Sequence, residues 1–221
     1  MKMAAKSGDI PDFSAIQYYL RSSETLAPGF KAGGINADYA WQYYGGKGEG
    51  ITVVSQEIGA WDDKHVDLPP RAFSAGSVDV HYHDTAAVGI MAAKDNGAGI
   101  VGIAHKATFG YAAYNASVFY ELIDKLKPGD VVQVGLHIDI GSVANCQRYC
   151  FVPDEYTPHR FDEIRALTDR DIHVIEAAGN GNVNLDHPDF NHKFDRNYRD
   201  SGAIIVGALD PETGGKAWFS F

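Results

Sequence analysis

The chain is poor in cysteine, in basic residues and in long apolar runs. Its 221 residues hold two cysteines, too few for a disulfide framework. Cys146 and Cys150 lie close together in Asn-Cys-Gln-Arg-Tyr-Cys, so they form either a local disulfide or a pair of reduced thiols. As a pair they fall short of the three or four protein ligands that zinc takes. Lys and Arg number 19 against 29 Asp and Glu, a net charge of −10. That balance argues against nucleic acid as a partner, because phosphates call for a basic face. No stretch approaches the roughly 18 apolar residues of a membrane span, which argues against a membrane protein. The first eleven residues are polar and carry no apolar signal core, which places the protein inside the cell if this N-terminus is native.

The sequence contains no repeat, no low-complexity tract and no linker marking a second domain. A chain of this length fits one domain that buries about 70–75% of its unfolded surface. Cofactor motifs are also lacking. Gly45-Gly46-Lys47-Gly48-Glu49-Gly50 is too glycine-rich to be structured alone, and no Lys-Ser/Thr pair opens a helix after it, as a phosphate loop requires. No cofactor and no metal is expected. Two clusters offer metal-ligand types, His81-x-His83-Asp84 with His137-x-Asp139, and the polar loop Asp186 to His192, but neither has a spacing that enforces a site.

What the sequence does contain is an alternation of buried-strand runs and helical patterns. Ile51 to Val54, Ile100 to Ile103, Val131 to Ile140, His173 to Ala178 and Ala203 to Ala208 read as strands. Thr85 to Ala93, Ala116 to Leu126 and His159 to Thr168 read as helices. The alternation predicts an α/β fold with a mainly parallel sheet and helices on both faces. Val118, Phe119, Leu122, Ile123 and Leu126 form a core stripe at helical spacing, and Lys127-Pro128-Gly129-Asp130 stops that helix. On the third helix Phe161, Ile164 and Leu167 face the sheet, with Asp162, Glu163 and Arg165 on a solvated face. Upstream, Pro11 to Leu20 reads as a short helix, and Gly34 to Trp41 as another capped by Asn36 or Asp38.

The most informative stretch is His81 to Ala104. A histidine-bearing start, His81-Tyr82-His83-Asp84-Thr85, runs into a small-residue helix with Ala86, Ala87, Gly89, Ala92 and Ala93. Those residues let another backbone lie close. An Asp-Asn-Gly turn and a short apolar run follow. Packing does not call for a histidine and an aspartate at the mouth of such a helix.

This stretch resembles the catalytic-histidine segment of the subtilisin-like serine peptidases, His-Gly-Thr-x-Val-Ala-Gly-Ile-x-Ala followed by Asn-Gly and Gly-Ile-Ala-Pro-x-Ala. His83 to Ile90 matches in register with Ala87 and Val88 exchanged, and Asn96-Gly97 and Gly102-Ile103-Ala104 follow. Asp84 stands where the family has glycine and His105 where it has proline. A family branch reads Val-Val-Asp-x-Glu-x-Gly-Trp-x-x-x-His-x-Asp-Leu. Here Val53-Val54-Ser55-Gln56-Glu57-Ile58-Gly59-Ala60-Trp61 precedes His65-Val66-Asp67-Leu68. Glu176-Ala177-Ala178-Gly179-Asn180 matches the family's Ala-Ala-Gly-Asn, and Asp200 to Ala208 also matches.

The resemblance implies roles residue by residue. His83 takes the position of the general base and Asn180 that of the oxyanion donor. Ser55 falls on the orienting aspartate's position; a hydroxyl can orient an imidazole but supplies no charge for an imidazolium. Glu57, two residues along the same strand face, and Asp84 are the replacement carboxylates. The family's Gly-Thr-Ser-x-Ala-x-Pro segment is not found, and Ser220 belongs to a strand rather than a helix start. The resemblance therefore spans residues 35–221 as an incomplete, truncated subtilisin-like domain without its C-terminal third, after an N-terminal extension, 1–34. An apolar groove is expected where the nucleophile-bearing helix packs in the family, covered by self-association or a partner chain. Three functions follow from these positions. The first is a peptidase fold without proteolysis of its own, kept to bind a peptide or protein. The second is an enzyme doing acid–base chemistry on a small molecule with His83 and Glu57 or Asp84. The third is a piece of a serine endopeptidase completed by another chain.

Overall fold

A computed structural model describes residues 10–114, 118–141, 146 and 149–220. Its elements in chain order are α1 (Ala37–Ala40), β1 (Thr52–Glu57), β2 (Ser74–Ala75), α2 (Tyr82–Ala92), β3 (Thr108–Ala113), α3 (Val118–Ile123) and β4 (Val131–Val134). There follow β5 (Ile138–Asp139), β6 (Phe151–Val152), α4 (Pro158–Thr168), β7 (His173–Ala177), β8 (Ile204–Val206), β9 (Leu209–Asp210) and β10 (Gly215–Lys216). The main sheet has six strands in the order β2-β3-β1-β4-β7-β8, and every pair in it is parallel. The α/β architecture expected from the sequence is the one observed.

Residue alternation along these strands sorts the core into two layers. Val54, Val132, Val134 and Val174 point to one face, where they pack with Phe119 and Leu122 of α3 and Ile164 and Leu167 of α4. Val53, Phe109, Tyr111 and Ala113 point to the other, against Val88 and Ala92 of α2 and the buried Trp61. Ser55 and Glu57 share this second face with Val53. On the same face, the strands beyond β1 are less covered. Ile204 and Val206, in register with Ile175 and Ala177, remain 55% and 50% exposed.

Four local expectations are corrected. Ile100 to Ile103 is not a strand, because its N–H groups are taken from outside any ladder. Ile100 N donates to Asp67 Oδ2, Val101 N to Gln17 Oε1, Gly102 N to Ala93 O and Ile103 N to Ile90 O. The positions beyond β1 are instead filled by β3 and the edge strand β2, which the sequence reading passed over. Pro11 to Leu20 forms two 3₁₀ turns, Ser14–Ile16 and Tyr18–Leu20, rather than a helix. The Gly45–Gly50 segment is a series of hydrogen-bonded turns held by Lys106 N to Lys47 O and Lys47 N to Glu49 Oε2. Glu163 is fully buried rather than solvated, because the largely buried Arg160 pairs with it at 2.8 Å.

The remaining helices follow the expected pattern. α4 buries Phe161, Ile164 and Leu167, and α3 buries Val118, Phe119 and Leu122. Residues 115–117, where the α3 pattern begins, lie outside the described residues. Asn36 caps α1 by position, with a left-handed backbone (φ 61°) and no side-chain hydrogen bond. Cys146 and Cys150 are joined as a disulfide, the first of the two alternatives.

Candidate active site

The candidate site is assembled at the carboxyl end of β1 by the first turn of α2. This is the sheet edge where open parallel sheets place their ligands. β1 ends at Glu57, and Gly59 turns the chain beneath α2. A Cβ at Gly59 would lie 2.6 Å from Asp79 O and 2.8 Å from His81 Cβ, so only glycine allows this approach. The Gly59 N–H donates to Asp84 Oδ2 at 3.2 Å. α2 begins at Tyr82, three residues before the expected Thr85, which puts His83 and Asp84 within its first turn. A carboxylate there is favoured by the partial positive charge of the helix N-terminus.

The three groups at the site differ sharply in exposure. Asp84 and Glu57 are buried, at 0% and 2% exposure, while the side chain of His83 is 55% exposed. His83 Nδ1 lies 3.6 Å from Asp84 Oδ1, and His81 Nδ1 lies 3.1 Å from Asp84 Oδ2. One donor or acceptor atom from each of Glu57, His83 and Asp84 falls within 4.8 Å of the other two. Burial pushes the Glu57 carboxyl above the ordinary range, opposed by its Gln133 hydrogen bond and reinforced by the charge of Asp84.

Ser55, on the aspartate position by sequence match, does not serve His83 in this structure. It is buried on β1, and its Oγ donates to Gln133 Oε1 of β4 at 3.2 Å. Gln133 Nε2 in turn donates to Glu57 Oε1 at 3.1 Å. Glu57, farther along the strand, is the β1 carboxylate that lies within 4.8 Å of the histidine. Gln133 is a site residue that sequence reasoning missed. Its only signal is a polar residue in the apolar run Val131-Val132-Gln133-Val134.

Asn180 stands apart from these groups in sequence and by strand. It is exposed on a bend three residues past β7, which lies two strands from β1 at the same sheet edge. At about 4.8 Å per strand the offset from β1 to β7 is roughly 10 Å. The preceding Gly179 has φ 92°, and a Cβ there would lie 2.4 Å from Phe151 O of β6. The Ala-Ala-Gly-Asn turn therefore depends on glycine to hold Asn180 above β7. The other conspicuous motif residues are structural. Asp67 accepts from Ile100 N and Asn96 Nδ2, and Trp61 Nε1 donates to Pro69 O.

Among the described residues, no hydroxyl is hydrogen-bonded to His83; Ser220, expected in a strand, instead follows a turn outside any strand, and its Oγ accepts from Ala208 N. Neither metal-ligand cluster weighed in the sequence comes together as such; among the described residues the one close group of three is Glu57, which neither cluster included, with His83 and Asp84. His137 instead stacks on Phe151, 4.3 Å between ring centres.

No protein-family model and no curated protein matches the chain. Solved structures do. The prenylagaramide maturation protease PagA superposes with a TM-score of 0.56 and 16% identity, covering 83% of this chain and 62% of that one. An Aeromonas sobria serine protease, solved in complex with a chaperone, gives 0.61 and 17% over 94% of this chain and 40% of its own. A protease from Pseudoalteromonas arctica gives 0.59 and 18% over 91% and 66%. The chain has a protease fold. It spans less than two thirds of the length of each of these proteases, and identities this low speak for the fold only.

A second buried polar cluster lies across the sheet, between β7 and α4. Glu176, 1% exposed, accepts from Glu155 N at 3.1 Å, and its Oε2 has no hydrogen-bond partner among the described residues. Glu155 is joined to Ser201 Oγ by a short hydrogen bond. Arg160 Nε pairs with Asp154 Oδ2 at 3.2 Å, and Tyr114 OH donates to Asp154 Oδ1 at 3.2 Å. Burial, followed by the charges of Glu155 and Asp154, holds the Glu176 carboxyl well above the ordinary range.

Proposed function

We propose that this chain is a subtilisin-like peptidase-fold protein that does not cleave peptides on its own and serves to bind a polypeptide. One observation carries the reading. His83 faces Glu57 and Asp84, two carboxylates, and no hydroxyl among the described residues is hydrogen-bonded to it. An acyl-transfer site needs a nucleophile whose proton the base can take. Among the described residues, this imidazole flanked by acids lacks that partner. The polypeptide would be held on the α2 face of β7 and β8, where Ile204 and Val206 lie half-exposed beside Ile175. A second copy of this chain or a partner protein would cover it. Hydrolysis of fluorescent casein by the purified chain tests the catalytic half of the reading. No turnover above that of His83→Ala is expected; turnover that His83→Ala removes would overturn it.

The closeness of Glu57 to His83 favours one second reading. A carboxylate beside the imidazole keeps the base half of a triad, so a chain that donates a serine could complete an endopeptidase. Casein cleavage that appears only on mixing with such a companion, and is lost in His83→Ala, would select this reading over the first.

A further inference from the structure

We propose that Glu57, His83 and Asp84 bind one divalent transition-metal cation, with zinc as its type. The two carboxylates share a division of labour. Glu57 gives Oε1 to Gln133 Nε2 and Asp84 gives Oδ2 to the Gly59 N–H, so each spends one oxygen on the scaffold. The other oxygens, Glu57 Oε2 and Asp84 Oδ1, are buried and have no hydrogen-bond partner among the described residues. A scaffold bond on one oxygen and a free lone pair on the other is how ligating carboxylates are oriented in metal sites. A buried carboxylate oxygen without a donor is destabilising, and a cation between two of them relieves it.

The third donor fits the same ion. The ligand atoms of Glu57, His83 and Asp84 already lie within 4.8 Å of one another. Bonds of about 2.0–2.2 Å require them to draw in to roughly 3–4 Å. His83 Nδ1 and Asp84 Oδ1 are already 3.6 Å apart, and the half-exposed side chain of His83 has room to adjust toward Glu57. An imidazole nitrogen with two carboxylates selects zinc, manganese, cobalt or iron over the all-oxygen sites of calcium and magnesium. The exposed flank of His83 leaves the remaining coordination positions to water or ligand. This assignment does not rest on the peptidase reading. Metal binding would occupy the lone pair that a general base uses, so the two roles of His83 exclude one another.

Calorimetric titration of the chelator-treated full chain with Zn²⁺, alongside the visible spectrum of the Co²⁺-loaded chain, tests the site. One Zn²⁺ per chain is expected, weakened about ten-fold or more by His83→Ala and by Glu57→Gln and unchanged by His159→Ala or His187→Ala. The Co²⁺ bands should vanish in His83→Ala, whose exposed side chain makes loss of fold a poor explanation; a melting curve matching the parent confirms this. Absence of Zn²⁺ binding, binding that survives both His83→Ala and Glu57→Gln, or binding that His159→Ala or His187→Ala removes would each overturn the proposal.

Discussion

Gln133 Nε2 donates to Glu57 Oε1 across the β1–β4 pairing at 3.1 Å, while Gln133 Oε1 accepts from Ser55 Oγ. One side chain thereby orients the buried carboxylate that faces His83 and satisfies the hydroxyl behind it. Gln133→Leu should leave both without that partner and lower stability by about 1–3 kcal/mol in a urea titration. Ser55→Ala removes only the weaker end and should cost about 1 kcal/mol or less. Equal losses in the two variants would contradict this ordering.

Gly59 and Gly89 make opposite predictions for the same substitution. A methyl at Gly59 meets backbone and side chain under 3.0 Å, so Gly59→Ala should destabilise by about 2 kcal/mol or more and disturb Asp84. At Gly89, inside α2, the nearest atom to an added Cβ is Ile100 Cδ1 at 3.5 Å, so Gly89→Ala should stabilise by about 0.5–1 kcal/mol. Thermal melts of the two variants check the pair.

How far the site is legible in the sequence depends on the residue. The motif around His83 gives the fold and the helix mouth because it is long and includes the turn after it. Ser55 and Glu57 are harder to rank, since strand alternation puts both on one face and leaves their depth open. Which of them reaches His83 depends on where α2 crosses β1, a tertiary fact set by Gly59. The β3 strand escapes notice because Thr108-Phe109-Gly110-Tyr111-Ala112-Ala113 has one β-branched residue and no alternation. Ile100 to Ile103 misleads in the other direction: its composition suits a strand, but Asp67 and Gln17, distant in sequence, take its N–H groups. The acid cluster of Asp154, Glu155 and Glu176 gives no sequence signal, since charged residues near a helix start usually face water.

That cluster predicts a pH dependence. The folded-state Glu176 carboxyl titrates well above its unfolded value, so the native state holds a proton that the unfolded chain has released. Stability should therefore fall as pH rises from the ordinary glutamate range toward the raised value. Glu176→Gln removes the titration and offers an amide N–H₂ to the neighbouring carboxylates. We expect it to raise stability at pH 7 by about 1–3 kcal/mol and to flatten the decline. Urea midpoints between pH 4 and pH 8 read it directly. A Glu176→Gln chain that is less stable at pH 7 and keeps the slope would contradict the prediction.

The exposed pair on β8 predicts association. If a polypeptide covers Ile204 and Val206, light scattering at micromolar concentration should show a mass above one chain, either alone or with the partner. Ile204→Asp with Val206→Asp should return it to a single chain without lowering the melting temperature, since both side chains are about half exposed. A parent chain that stays monomeric and binds no polypeptide would remove the binding role.

The most direct test of the central claim is the intact mass of the chain after incubation with a fluorophosphonate, which reacts with an activated hydroxyl such as a catalytic serine's. No added mass is predicted, because His83 stands against Glu57 and Asp84 rather than a hydroxyl. One adduct per chain, absent in His83→Ala, would contradict it.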